Sequence, residues 1–564
     1  MSSIQVYNSR GIKYARIVES YRDPITRKPK TRVLKVLGRV DELEAKEPGI
    51  LERLRTECRE SRAFNESLKQ EALFKNIQQH LESIDDTAAK GFPVRNYGVK
   101  VYENIWNELN LDYFFDYRQK RDTNIKFKVK EVVSLLVYSR LLKPTSKKRS
   151  FEQRDFFINS NNMNLEQIYR GLSFLAYEKE SLEKHLNKQL SLKMTRNLGV
   201  AFYDVTTYYF ESVRADELKK FGYSKDNKVN QVQVVMGLLI DDEGIPISYE
   251  LFPGNTNDFK TLVPVMEHLR ENYGINKIII TADRGLNSKQ NLAYLKSKGF
   301  DYVMAYKIRS ASKSVKALVL GDEDYTAEGL DFKWKVCDFK NSVIVDGKKV
   351  LLEDNMVITW SAKRAEKDRR DRERLIEKSK RLVESKSTLK AEMKKGGKKY
   401  VQLSIFDDDH ISFNQTQVET DEQFDGYYGI QSSDKSLSAE KVIEIYQGLW
   451  KIEESFRVMK TNLEARPIFV WTQASIRGHF VMCYLALVIQ RYLEYKLRKE
   501  KIEISTGNIQ DALRSANVTI IDDSKSNSPY YLKNQSNDDF SAILSALDLS
   551  EILPYGRLND ILRS

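Results

Sequence analysis

Val200-Ala201-Phe202-Tyr203-Asp204-Val205-Thr206-Thr207-Tyr208-Tyr209-Phe210 is the stretch on which the fold turns. Its β-branched and aromatic residues read as buried strand, with 200–205 and 206–210 expected to form adjacent strands. Asp204 interrupts it. A carboxylate inside such a run is costly unless a cation or hydrogen bonds satisfy it, so it marks a site. Strand signals continue at 232–240 and 247–252, then Gly254-Asn255-Thr256-Asn257-Asp258 turns into a helix over 259–273. Ile278-Ile279-Ile280 is a further buried strand leading to Asp283. Asn287 or Ser288 can cap the next helix, which ends at Gly299, and Tyr302-Val303-Met304-Ala305-Tyr306 is strand again. Strands followed by strand–helix alternation imply a mixed sheet with helices on its faces.

A third acid lies far downstream. Ile445, Leu449, Ile452, Phe456 and Met459 form one apolar helical stripe, expected to pack on the sheet. One residue onward runs a second line, Tyr446, Trp450, Glu453, Arg457 and Lys460. Tyr446, Glu453 and Lys460 are seven apart and drift only about 20° per heptad, so one helix face carries an aromatic, a carboxylate and a cation. A solvated face with an i,i+4 Glu453–Arg457 pair is the plain alternative; Trp450 argues against it. Asp283 has a plain alternative too, as a turn residue before Gly285. Asp258 is read as a helix cap, Glu454 as solvated, and Lys451 as off the line. If Asp204, Asp283 and Glu453 converge, they repel one another unless a divalent cation holds them ionised. That is the arrangement of a metal-dependent phosphoryl-transfer site.

The charge distribution points the same way. Residues 1–40 hold ten Lys or Arg, Lys28, Lys30 and Arg32 among them, against Glu19 and Asp23. Residues 363–399 hold sixteen against seven acids, while the whole chain nets +12, so the remainder is slightly acidic. Two concentrated basic segments on a near-neutral body suggest a polyanion partner. Cys58, Cys337 and Cys483 are far apart, and the five histidines show no ligand spacing, which argues against zinc and against a disulfide scaffold. The opening residues carry no signal-peptide pattern. The longest apolar run, 480–489, is too short to span a bilayer, so a cytoplasmic chain without a membrane segment is expected.

Six segments follow. Residues 1–95 read as a basic hairpin (14–18 and 32–37) and a charged helix, a DNA-binding candidate ending near Gly91-Phe92-Pro93. Residues 96–197 are helical. Residues 198–309 begin the catalytic core, 310–435 are a β-rich insertion with a basic helix, and 436–501 complete the core with Glu453. Residues 502–564 read as a small helical tail, with an Asp/Ser/Asn-rich loop at 522–539.

The segment Tyr446-Gln447-Gly448-Leu449-Trp450-Lys451-Ile452-Glu453, continued to Lys460, resembles the Y-x2-R-x3-E-x6-K signature of bacterial insertion-sequence transposases of the IS-four type. Tyr446, Glu453 and Lys460 match; the arginine position holds Leu449. Tyr203-Asp204-Val205-Thr206-Thr207 and Thr281-Ala282-Asp283-Arg284-Gly285 resemble the family's two aspartate motifs, with Leu286 where an aromatic is frequent. Gly254-Asn255-Thr256, Asp258 and Arg466-Pro467-Ile468 also fit. Asp283 stands 79 residues after Asp204, and Glu453 a further 170 on, as in members with a β-rich insertion.

The resemblance implies an RNase H-like core: an α/β fold with a mixed five-stranded sheet and flanking helices, interrupted by the insertion. It implies a DDE triad of Asp204, Asp283 and Glu453 holding two Mg²⁺ ions, with Mn²⁺ as substitute. It also implies a dimer acting on double-stranded DNA, at terminal inverted repeats and target, in a bacterial cytoplasm at the nucleoid. Tyr446, Arg457 and Lys460 would meet phosphates, Trp450 a flipped base, and Lys28, Lys30 and Arg32 the DNA backbone. A nuclease or resolvase without strand joining, and a non-catalytic DNA-binding derivative, are the competing readings.

Overall fold

The computed structural model describes residues 2–9, 11–22, 29–82, 92–121, 125–159, 162–196, 198–223, 230–273, 279–283, 285–345, 347–384, 399–403, 411–521 and 529–563. The chain divides into two compact units. One comprises residues 98–514 and 537–549, the other residues 1–97, 515–536 and 550–564.

The larger unit is built on a mixed sheet. Its first five strands stand in the spatial order Asp301–Tyr306, Ile279–Ala282, Val200–Tyr209, Gln233–Asp241, Pro246–Pro253. The first three of these are mutually parallel and the last two antiparallel, the RNase H-like arrangement. Residues 200–209 form one unbroken strand rather than two, since no turn residue separates Val205 from Thr206 and both faces are covered. Its odd-numbered residues Ala201, Tyr203 and Val205 pack with Ile280, Ala282, Tyr302 and Met304 beneath the helices Leu262–Tyr273 and Lys289–Ser297. Val303 and Ile430 face the other way, onto Val442 and Ile445 of the helix Ala439–Gln447.

Among the described residues the sheet has nine strands, not five. The insertion supplies the difference. Its hairpin Phe332–Val345/Lys348–Ser361, with Thr326–Glu328, continues the sheet through Tyr427–Ser432, which pairs antiparallel with Asp301–Tyr306. An exposed edge at Asp301–Tyr306 would leave backbone groups unpaired, and the inserted strands cover it. The basic helix spans Ala362–Glu384; residues 385–398, including the expected stop at Gly396-Gly397, lie outside the described residues. Arg372 on this helix is buried and paired with Asp425 and Glu422, so it belongs to the fold.

The helical region consists of Val99–Glu108, Leu111–Gln119, Val129–Leu142, Lys147–Glu152 and Leu165–Lys193, and it surrounds the buried helix Gln473–Lys499. At Gly478 an added Cβ would lie 1.9 Å from the Leu172 carbonyl oxygen, so these helices cross where only glycine fits.

In the smaller unit the expected basic hairpin gains a leading strand. Ser2–Ser9, Ile12–Arg22 and Pro29–Arg39 form an antiparallel sheet, followed by the helices Val40–Lys46 and Ile50–Glu82. Lys28 lies outside the described residues; Lys30 and Arg32 lie on the third strand. The tail expected to be helical also carries strands. Asn517–Ile521, Tyr530–Lys533 and Tyr555–Arg557 join Val94–Asn96 in a four-stranded sheet. Asn517-Val518-Thr519-Ile520-Ile521 has the β-branched content of a strand. Its partner lies more than four hundred residues upstream, where Asn96 donates to the Ala516 carbonyl at 3.0 Å. Phe92 and Pro93 therefore lead into a sheet, and the Pro93 carbonyl accepts from the Ile520 amide at 2.8 Å.

Candidate active site

Strand register settles the relation between the two aspartates. Val200–Tyr209 and Ile279–Ala282 are parallel, with Tyr203 opposite Ala282 as the last pair. Asp204 and Asp283 each follow that pair by one residue, on neighbouring segments of the sheet, where adjacent strands lie about 4.8 Å apart. Side-chain alternation turns Asp204 away from the face carrying Tyr203, onto the face shared with Phe202, Thr206 and Tyr208. Asp204 is half-buried and Asp283 exposed.

The helical signature lies along that same face. It is the helix Trp450–Arg457, preceded by a turn at Gly448 and Leu449 and followed by a π turn, Val458–Asn462. The predicted apolar stripe is buried as expected: Ile445, Leu449, Ile452, Phe456 and Met459. Two contacts fix its course. A Cβ on Gly448 would lie 2.5 Å from the Phe202 ring, so the chain passes directly over Phe202. Twelve residues later Lys460 donates a hydrogen bond to Thr206 Oγ1, its ammonium 5.7 Å from the Tyr208 ring, while the Tyr208 hydroxyl reaches Met459 Sδ at 3.5 Å. The two anchors are four residues apart on the strand and twelve apart on the helical segment, so the segment passes along the Asp204 strand. Glu453 is exposed, on the side of this helix away from its buried stripe.

The three acids thus lie on adjoining segments, the ends of two paired strands and the helix that passes over one of them. Among the described residues, however, no three His, Cys, Asp or Glu side chains come close enough to form a closed metal cluster. The carboxylate oxygens of the three acids are hard donors, suited to Mg²⁺ or Mn²⁺ rather than to thiolate-seeking metals.

Other expected residues separate. Trp450 is 57% exposed and outside the core. Tyr446 shares a hydrogen bond with the Tyr428 hydroxyl, and Arg364 stacks 4.1 Å over the Tyr428 ring. Arg457 pairs with Glu454 at 3.0 Å, so the i,i+4 pair with Glu453 is not the one that forms. Lys451 donates to the Asp242 carbonyl. Asp258, read as a cap, places Oδ2 3.8 Å from the Cβ position of Gly285, which makes it a fourth acid beside the Asp283 loop. Thr206 and Tyr428 escaped sequence reasoning. Thr206 sits two residues from Asp204 on the same strand face, a signal available from alternation alone; Tyr428 had none.

A buried polar network holds the end of the signature helix. Arg140 Nη1 donates to the Leu463 and Glu464 carbonyls, each at 3.0 Å. His479 Nε2–H donates to the Ala465 carbonyl at 3.0 Å, which leaves Nδ1 to accept from Lys147 at 2.8 Å. Burial drives the His479 pKa well below its ordinary value, and the Lys147 and Arg140 cations add to the effect. Above about pH 6.5 the imidazole is neutral whether folded or unfolded. Below it only the unfolded chain takes up the proton, so stability is lost as pH falls. The melting temperature is expected to fall between about pH 7 and pH 5, and less steeply in His479→Gln. Equal slopes would show that folded His479 protonates normally.

A family model described as the transposase DDE domain matches residues 198–489, just over half of the chain. The chain belongs to the DDE-domain transposases: it is an enzyme, a DNA transposase. Residues 3–72 match the N-terminal domain of IS1634 family transposases, which makes it an insertion-sequence transposase. The family is generally dependent on divalent metal ions. No curated protein matches the chain. Among solved structures, a piggyBac transposase synaptic complex with hairpin DNA aligns at 10% identity and a TM-score of 0.34, over 76% of this chain and 82% of that one. A Mos1 transposase paired-end complex with left transposon end aligns at 12% identity and a TM-score of 0.15, over 32% and 58%. No helix among the described residues is long and apolar enough to cross a membrane.

Proposed function

We propose that this transposase cuts at the ends of a mobile element and joins the freed 3′-hydroxyl to target DNA, using Asp204, Asp283 and Glu453. The observation that supports the reading is that Asp204 and Asp283 each directly follow the last register pair, Tyr203 and Ala282, while the Glu453 helix is tied to the Asp204 strand at Phe202 and Thr206. Two Mg²⁺ ions held by these carboxylates, or Mn²⁺ in their place, would activate the attacking oxygen and neutralise the leaving one. Asp204, together with Asp283 and Glu453, would hold the metal. Lys460, aimed at the strand face two residues beyond Asp204, holds a DNA phosphate against the site, and Tyr446 contacts the backbone beside it. Arg457, one turn past Glu453, takes the phosphate contact that Leu449 cannot make. The basic N-terminal strands, with Lys28, Lys30 and Arg32, and the exposed cations of Ala362–Glu384 supply salt-sensitive backbone contacts. Two protomers pair two element ends, in a bacterial cytoplasm.

A joining assay tests the reading directly. A precut end with a free 3′-hydroxyl should be transferred into plasmid DNA in Mg²⁺. Cleavage of intact ends without any joining would make the protein a nuclease of the same fold.

Trp450 stacks on a base drawn out of the duplex at the end. Its exposure predicts that Trp450→Ala changes stability by no more than about 1 kcal/mol, where a core tryptophan would cost about 3–5. Cleavage of intact ends should suffer, while precut ends join at close to the wild-type rate. A collapse of melting temperature with both activities falling together would return Trp450 to a structural role.

A further inference from the structure

Residues 463–471 connect the Lys460 turn to the buried helix Gln473–Lys499, and the proposed chemistry gives them no task. We propose that this segment is a clamp for unpaired bases of the DNA strand at the cut end, with Phe469 and Trp471 as its stacking rings. The proposal rests on the placement of the catalytic centre at Asp204.

Burial alternates along the segment. Ile468 and Val470 are buried, whereas Phe469 and Trp471 are each 53% exposed. A period of two puts both rings on one side, about 7 Å apart along the backbone. That is about twice the 3.4 Å spacing of stacked bases, the span in which one flat ring fits between two others. Single exposed apolar residues are ordinary and carry no message. Two large rings, adjacent on one side of a fixed segment, are a different matter.

The segment is held by its backbone, which leaves the rings available. Arg140 takes the Leu463 and Glu464 carbonyls, and His479 takes the Ala465 carbonyl. Glu464 is kept at φ +44°, a left-handed conformation uncommon for a side-chain-bearing residue. The Ile468 amide donates to the Tyr209 carbonyl at 3.2 Å, tying the segment to the Asp204 strand. Lys219, itself buried, donates to the Trp471 carbonyl at 3.3 Å, its ammonium 5.9 Å from the indole. Rings carried on a prefixed backbone lose little freedom when they bind.

Charge and distance select the occupant. Lys219 is paired with Asp216 at 3.3 Å, while Arg466 and Lys460 flank the segment, and these two cations favour a polyanion over an apolar peptide. Exposed aromatics interleaved with cations are the means by which single strands are held without regard to sequence. Tyr209, where the segment is tied down, lies five residues along the strand from Asp204, about 17 Å. A DNA strand whose scissile phosphate sits at Asp204 reaches the rings within a few nucleotides.

The test is binding in EDTA, so that no cleavage enters the measurement. Fluorescence anisotropy is recorded with labelled oligo(dT) and with a duplex of unrelated sequence. For the Phe469→Ala/Trp471→Ala double variant, oligo(dT) affinity should fall at least about tenfold, within the range known for base–aromatic stacking. Duplex affinity should change less than about threefold, since paired bases present no face. Phe469→Tyr/Trp471→Phe should bind oligo(dT) like wild type, and Phe469→Leu/Trp471→Leu should fail. Unchanged oligo(dT) binding in the alanine variant, equal losses for single strand and duplex, or wild-type binding by the leucine variant would each overturn the clamp. A failure of catalysis by Asp204 would leave these affinities as they are, so the two readings fall separately.

Discussion

Asp204→Asn is expected to lower end cleavage by at least about 10³-fold in Mg²⁺, because the neutral amide cannot complete an anionic metal site. The substitution is isosteric and the position half-buried, so the melting temperature should stay near wild type. DNA binding should persist or tighten, since one negative charge leaves the cleft. Gel-shift and cleavage assays on the same preparation separate the two effects. Near wild-type cleavage would remove Asp204 from the chemistry. Asp258, beside the Asp283 loop, would then be the next carboxylate to test.

Arg196→Ala is expected to have the largest effect on stability, about 3–5 kcal/mol. Arg196 and Asp241 form an ion pair in which both side chains are almost fully buried, 1% and 0% exposed. Arg196 also donates to Asn187 on the helix Leu165–Lys193 and to the Pro246 carbonyl at 3.3 Å. Removing it leaves the Asp241 carboxylate in the interior with only the Glu243 and Ile245 amides, which donate at 3.1 and 2.8 Å. The pair closes the turn between Gln233–Asp241, which lies beside the Asp204 strand, and Pro246–Pro253, the next strand out. Thermal unfolding and cleavage should therefore decline together, unlike the pattern for Asp204→Asn. The double variant Arg196→Met/Asp241→Asn should recover part of the loss, because no charge is then stranded. An Arg196→Ala melting temperature equal to wild type would show that water had replaced the pair.

Much of the site was legible from one sequence. The two aspartates announced themselves by breaking or ending apolar strands, and the apolar stripe from Ile445 to Met459 is the buried face of its helix. Trp450, off that stripe, is outside the core as its position implied. These are local properties. A strand or helix must bury one face, and the period of its apolar residues states which one. The three-part core order and the interruption before Glu453 follow from the same patterns read in succession.

Other features arise only between parts of the chain that are distant in sequence. The alignment of Asp204 with Asp283 is a matter of register between parallel strands, which no window around either residue contains. The inserted hairpin looked like a separate domain because its strands alternate with turns, yet it extends the core sheet, since the open edge at Asp301–Tyr306 needed hydrogen-bond partners. The tail looked helical because Asn517–Ile521 is short and its partner, Val94–Asn96, lies at the other end of the sequence. Lys460 was read as lying on an exposed line, but the π turn and the neighbouring Thr206 direct its ammonium onto the strand. The sequence by itself determined which residues seek the interior, which are candidates for the chemistry and where the charge lies, because each residue's solvation is largely its own. The tertiary structure decided which acids lie on adjoining segments and which carbonyls the buried cations hold, because backbone pairing and desolvated charge are satisfied only by partners that folding brings together.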